Sequence, residues 1–339
     1  MQKKTSFLVA LLDALRARLP VDDHSLAATF SRQFWSRVLE EDLADWDPAD
    51  AASITIAALK HFRVRAPDAV DIEVQNPEFE RDGWASKHTV VLIAHPDMPF
   101  ITDSVLMELS HHGLVTHHLQ NVVFHAVRDG NQRLIRVDRD AVEGRPEVLI
   151  YAEIDRIEDE QLTPLEGRLA AILADVRAVV ADFPAMKNKL AEIIEALRDS
   201  PPPLPADDVA EGVAFLEWLG KNRFTFLGYR EFDYSAGLIR QVPDSALGIL
   251  RHRDPATERS LDEQNEETRA FILEPRLLAF SKSGTRSQVH RPAYPDYVAV
   301  KRFNSDGEVV GEFGFLGLYT SPVYTERPEN IPVMRRKVE

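Results

Sequence analysis

The 339-residue chain contains no cysteine. Disulfides, thiolate metal sites, cysteine nucleophiles and iron–sulfur clusters are therefore excluded within it, and a reducing compartment suits it. Positive charge is also in short supply. Lys and Arg number 40 against 55 Asp and Glu, a net charge of −15. General nucleic-acid binding and anionic-membrane binding both need a cationic surface, so neither partner is expected. Apolar runs fall well short of the ~18 residues that span a bilayer. The basic start, Met1 to Ser6, leads into Phe7–Leu12, but Asp13, Arg16 and Arg18 interrupt the stretch and no small-residue cleavage site follows. This reads as a helix of a cytoplasmic protein, not a signal peptide. Catalytic fingerprints are missing as well. There is no Gly-x-Gly-x-x-Gly between a strand and a helix, no phosphate-binding P-loop, no Gly-x-Ser-x-Gly elbow and no His-Glu-x-x-His.

What is present is a globular composition, 44% hydrophobic and 28% charged, long enough for two or three domains. Leu8, Leu11, Leu12, Leu15 and Leu19 recur at helical spacing. Helical patterns continue over 25–44 and 48–62. A β-rich run, Thr89–Ala94, then feeds a helix from about Phe100 to His112, with Asp97 or Met98 as cap, Pro99 in the first turn and Gly113 closing it. Strands are expected over 114–127, 133–137 and 148–154, the first two joined at Asp129-Gly130. Thr163-Pro164-Leu165-Glu166 reads as a capping box opening a helix to Phe183, and a second helix covers 184–198. Ser200 to Pro205 carries four prolines and marks a linker.

Beyond the linker, Asp208–Glu211 reads as the cap of a helix ending near Gly220. Strands are expected at 224–234, 277–280, 288–290, 297–303 and 309–319, with helices inserted between the second and third strands of the sheet. Gly311, Gly314 and Gly317 recur every third residue in the last strand, where glycine signals a bulge or a close approach of backbone. The fold class is α+β. The expected organisation is a helical lead-in (1–68), an α/β sandwich (69–183), a helix with Pro-rich linker (184–205), a second α+β domain (206–330) and the start of a truncated helix (331–339), implying a longer polypeptide.

Three clusters carry candidate chemistry. Six of eleven histidines (His95, His111, His112, His117, His118, His125) fall within 31 residues. Strand neighbours His117 and His118 point to opposite faces, and a helix end suits His111 and His112, so no metal site is assigned. The loop from Ser287 to Tyr297 packs His, Arg, Asp and two Tyr together and reads as a connector held by Asp–Arg pairing. The turn at 97–104 is the candidate ligand site. A strand feeding a helix N-terminus presents free N–H groups, and Asp97, Thr102, Asp103 and Ser104 add polar side chains.

Two stretches carry a resemblance. His95-Pro96-Asp97-Met98-Pro99-Phe100-Ile101-Thr102-Asp103-Ser104-Val105 resembles the start of the first ACT-type module of the large bacterial NAD-dependent glutamate dehydrogenases, and Asn222–Arg230 resembles a strand further along that family. Val289–Pro292 with Asp296-Tyr297, and Gly314–Ser321, extend the match. The resemblance implies an ACT-like (ferredoxin-like) sandwich, then a PAS-like domain, in a regulatory or assembly region. It implies glutamate oxidation by the whole enzyme, with NAD held outside this chain and no catalytic, cofactor-binding or metal-ligating residue within it. It also implies a homo-oligomer, contacts with other domains of the same polypeptide, and an amino-acid effector near Asp97, Met98, Phe100, Thr102, Asp103 and Ser104. Two features depart from that pattern. Effector-binding modules carry glycine where Phe100 follows Pro99, and Asp71–Val74 must supply the fourth strand from upstream. A scaffold without effector, or a free-standing amino-acid-binding protein, are the rival expectations.

Overall fold

The computed structural model describes residues 2–41, 43, 46–66, 68–138, 143–251 and 258–337. The chain divides into two compact units, residues 1–173 and 174–339. The division falls inside a helix, N-terminal to the Pro-rich segment.

Unit 1 opens with α1 (Gln2–Arg18), α2 (His24–Phe34) and α3 (Pro48–Phe62). The pattern over 25–44 yields a shorter helix than expected, since α2 ends at Phe34 and Trp35 instead turns inward, its indole N–H donating to Thr55 (2.8 Å). Asp47 caps α3 by accepting from the Ala49 N–H, with Pro48 in the first turn. Then come β1 (Asp71–Gln75), α4 (Phe79–Asp82), β2 (Thr89–Pro96), α5 (Ile101–His111), β3 (Thr116–Arg128), β4 (Leu134–Asp138) and β5 (Arg145–Ile154). The sheet runs β1-β2-β5-β3-β4 and every pair is antiparallel. Strands β1, β2, β5 and β3 follow the ferredoxin-like order, with the fourth strand of that pattern supplied from upstream by Asp71–Gln75.

Alternation divides the sheet's side chains between two cores. Val90, Leu92, Ala94, Val122, Phe124, Leu149 and Tyr151 face the lead-in helices, where Phe30 stacks on Phe124 at 4.8 Å. Val91, Ile93, Ile150 and Ile154 alternate to the other face, the side of α5 and the start of the helix that follows β5, α6 (Asp159–Asp199), whose Val105, Leu109, Leu165 and Leu169 are buried. The lead-in is pinned by a buried ionic cluster. Glu147 receives Arg65 (2.7 Å) and a two-pronged Arg128, and Arg128 also donates to the Phe62 and Arg63 carbonyls at the end of α3.

Helix α6 (Asp159–Asp199) merges the two helices expected on either side of Phe183–Pro184. It starts earlier than the capping box implied. Asn76 donates to the Ile157 carbonyl and to Asp159, which fixes an extra turn, and Glu166 reaches across to the Val74 N–H instead of capping.

Unit 2 contains the rest of α6, then α7 (Ala206–Gly220), β6 (Phe224–Ser235), β7 (Leu238–Gln241), β8 (Leu247–Gly248), β9 (Glu258–Ser260), α8 (Glu266–Leu273), β10 (Leu278–Lys282), β11 (Asp296–Phe303) and β12 (Val309–Tyr319). The sheet order is β10-β11-β12-β6-β7-β9, again antiparallel throughout, with β8 beside β6. The order of its five main strands is compatible with a PAS-like domain, and α8 lies in the insertion between the second and third of these. Residues 288–290 are not a strand but part of the irregular 283–295 connector. One face of the sheet packs on Met186, Leu190 and Ile193 of α6 and Phe215, Leu216 and Leu219 of α7.

Asp208 and Glu211 do not cap α7, which starts behind Pro205 with no side-chain cap. They hold the C-terminal segment instead. Glu211 takes the Val333 N–H (2.7 Å) and both prongs of Arg335, while Asp208 takes Arg336 (2.6 Å). Residues 335–337 form a single 3₁₀ turn rather than the start of an α-helix, and 338–339 lie outside the described residues.

Candidate functional site

The turn from β2 into α5 differs in detail from its sequence reading. The helix starts at Ile101 and its N-cap is Phe100, so neither Asp97 nor Met98 caps it and Pro99 precedes it. Asp97 is exposed, and its N–H is spent on the Pro146 carbonyl (3.0 Å). Thr102 accepts from the Asn121 amide (2.6 Å), which ties α5 to β3. Ser104 is buried, Asp103 is exposed and Met98 is half-buried. Phe100 itself has φ 74° and ψ −4°. This left-handed conformation is the one glycine adopts without penalty. The backbone therefore keeps the shape that a glycine would give, while a half-buried phenylalanine occupies the position. The structure brings the six candidate residues into one turn, with its left-handed position taken by Phe100 rather than by glycine.

The histidines separate as their strand positions require. His117 stacks on His88 (4.2 Å) and pairs with Asp155 (2.7 Å), whereas His118 meets Trp46 and Tyr151 on the opposite face. His112 pairs with Glu108. Burial, and then the neighbouring His117, hold the His88 imidazole below its ordinary range. Among the described residues no three metal-ligating side chains converge. In the 283–295 connector, Arg291 donates to the Tyr319 carbonyl rather than pairing with an aspartate, and Asp296 pairs with Lys282 (2.8 Å).

A second site, not foreseen from sequence, is a cavity of about 570 Å³ in unit 2. It lies on the sheet face opposite α6 and α7, with Thr268, Phe271 and Ile272 of α8 along one side. Tyr297, Ala299 and Lys301 of β11 alternate into it, as do Arg230, Phe232 and Tyr234 of β6 and Glu312 of β12. Glu312 accepts from the Tyr297 hydroxyl (2.8 Å) and from Tyr234, and Arg230 in turn reaches Tyr297. Burial raises all three of the tyrosines packed against Glu312 or Glu231 (Tyr297, Tyr234 and Tyr229), so they stay protonated donors. The signal in the sequence was the alternation itself, Arg230-x-Phe232-x-Tyr234 and Tyr297-x-Ala299-x-Lys301, which places polar side chains on one face. Of the arginines at the two ends of 223–230, Arg223 pairs with Glu326 (2.9 Å), and Arg230 lines the cavity.

Two comparisons bear on this geometry. Residues 30–169 match the family model described as glutamate dehydrogenase, ACT1 domain. Over its whole length the chain is 37% identical to an NAD-specific glutamate dehydrogenase of Halomonas elongata. It is 36% identical, over 99% of its length, to one of Pseudomonas aeruginosa. The chain belongs to the N-terminal part of this glutamate dehydrogenase family. It spans about a fifth of the length of these relatives, 22% and 21%. The ACT1 match begins at Phe30, the residue stacked on Phe124, so it takes in the end of α2 and the whole of α3 but not α1. No described helix is long and apolar enough to cross a membrane.

Proposed function

We propose that this chain is the non-catalytic regulatory and assembly region of an NAD-dependent glutamate dehydrogenase. The whole polypeptide would convert L-glutamate, NAD and water to 2-oxoglutarate, ammonia and NADH in the cytoplasm, as a homo-oligomer. NAD would be held by domains outside this chain. The observation that carries the reading is the full-length match of these 339 residues to about a fifth of two NAD-specific glutamate dehydrogenases. The topology supports it. Dinucleotide sites are built on parallel βαβ units with a glycine-rich first turn, whereas every strand pair among the described residues is antiparallel.

In this reading an amino-acid effector docks at the β2–α5 turn, on Asp97, Met98, Phe100, Thr102, Asp103 and Ser104, and acts by binding two states of the enzyme unequally. Calorimetric titration of the chain with the common amino acids tests this. Heat and a raised melting temperature that are lost in Thr102→Ala and Phe100→Ala are the expected result, and no response to any amino acid would defeat the sensor. A second reading, a scaffold without effector, is favoured by one observation: a phenylalanine rather than a glycine holds the left-handed position at 100. Light scattering tests it, with self-association expected and a strictly monomeric chain contradicting it.

A further inference from the structure

We propose that the unit 2 cavity is a binding site for a small organic carboxylate, separate from the β2–α5 turn. Its volume falls within the ~300–1,000 Å³ typical of small-molecule sites. The floor is built from the smallest side chains available. Cross-strand register places Arg230 beside Gly314, Gly314 beside Ala299 and Ala299 beside Ala279, one row running across four strands. The adjacent row holds Phe232, Glu312 and Lys301. A Cβ at 314 would overlap the Tyr297 hydroxyl and ring. Glycine there lets Tyr297 lie across the sheet to reach Glu312 while the floor stays low.

Charge then selects the occupant. Arg230 and Lys301 enter the cavity from β6 and β11, and neither makes an ion pair with a carboxylate among the described residues. Lys301 is only 3% exposed, and its ammonium is held by two neutral carbonyls, Phe271 (2.7 Å) and Glu274 (2.9 Å). Arg230 lies over the Phe232 ring at 4.8 Å, and its Nε is buried with no acceptor. Among the described lining residues the one carboxylate, Glu312, already accepts from Tyr297 and Tyr234. Arg230 and Lys301, with Arg259 and the Asp296-paired Lys282 also on the lining, thus face a single, already engaged anion in a partly desolvated pocket, within a chain whose net charge is −15. A half-buried guanidinium whose Nε has no acceptor is suited to capture of a carboxylate, and the aromatic walls suit a short carbon body. A bare inorganic anion would leave those walls and most of the volume unused.

The test is calorimetric titration and melting of the full 339-residue chain with acetate, succinate, 2-oxoglutarate, L-glutamate and L-aspartate, and with inorganic phosphate as control. At least one carboxylate is expected to bind at sub-millimolar concentration and raise the melting temperature, with phosphate more than tenfold weaker. Arg230→Gln is expected to weaken binding at least tenfold, and Ala299→Leu, which fills the floor without altering charge, to abolish it. Asp13→Ala, at an exposed position of α1 outside both sites, is expected to leave the affinity unchanged. Absence of binding by every carboxylate overturns the proposal. So does binding that persists in Ala299→Leu shown by circular dichroism to be folded, phosphate binding as tightly as the carboxylates, or an affinity lost in Asp13→Ala. The inference rests on unit 2 alone, so its failure leaves the regulatory reading of the β2–α5 turn standing, and the failure of that reading leaves this cavity standing.

Discussion

Phe100 shows how backbone geometry can outlast the residue it favours. At φ 74° an L side chain pays roughly 1–2 kcal/mol that glycine does not. Phe100→Gly loses ring contacts but relieves that strain, whereas Phe100→Ala loses the ring and keeps the strain. Glycine at 100 should therefore be more stable than alanine by about 1 kcal/mol in urea denaturation, the reverse of the usual order. The strand glycines make a complementary point. At Gly317 an added Cβ would meet the Thr225 backbone carbonyl, while at Gly314 it would meet only the Tyr297 side chain. Gly317→Ala should accordingly cost more than Gly314→Ala, about 1–3 kcal/mol, and Tyr297→Ala should rescue the second but not the first. Sequence announced these glycines as sites of close approach but could not name the neighbours, because Tyr297 and Thr225 lie on other strands, the second of them on β6 at the start of unit 2's sheet. Residue pKa shifts give a pH prediction. His88 is held below its ordinary range, so the folded chain takes up that proton less readily than the unfolded one. Its contribution is intact above about pH 6.5 and is lost as pH falls through that value. Melting temperature should drop on acidification from pH 7 toward 5, and His88→Gln should flatten that part of the profile.

At the scale of elements, most of the strands and helices were legible because their periodicities are clean and their turns carry Asp129-Gly130 or Gly113 signals. Boundaries failed where a distant partner decided them. Asn76 sets the start of α6, although it lies 83 positions before Asp159. Arg335 and Val333 recruit Glu211, which local sequence offers as a cap. Only tertiary structure also reveals the Arg65–Glu147–Arg128 cluster, in which side chains are 1%, 4% and 7% exposed. Removing its acid strands two buried cations. Glu147→Ala should destabilise unit 1 by about 3–5 kcal/mol in denaturant titration, and a loss below 1 kcal/mol would show that the cluster is solvated. Glu211→Gln should loosen the far end of the chain, read as faster amide exchange over 331–337 with unit 2 otherwise unchanged.

For the molecule as a whole, the composition correctly directed attention away from thiol chemistry, but it gave no hint that unit 1's sheet is covered on both faces within the chain. The lead-in helices occupy one face through Phe30, Phe34 and Phe62, so a homo-oligomer of this region would have to use helices or loops instead of that sheet face. Both edges of the sheet are also partly blunted. Glu166 takes the outward N–H of Val74 on β1, and Arg63 takes the N–H of Leu134 on β4. The unit 2 cavity escaped sequence reading because its residues come from six separate strands and a helix, none bearing a motif. The central claim is that these two antiparallel modules bind or dock and leave hydride transfer to other domains. The most direct measurement is NADH formation by the purified 339-residue chain supplied with L-glutamate and NAD. The account predicts no NADH above the rate of the buffer alone. Sustained NADH production that scales with the concentration of this chain, and that survives further purification, would contradict it.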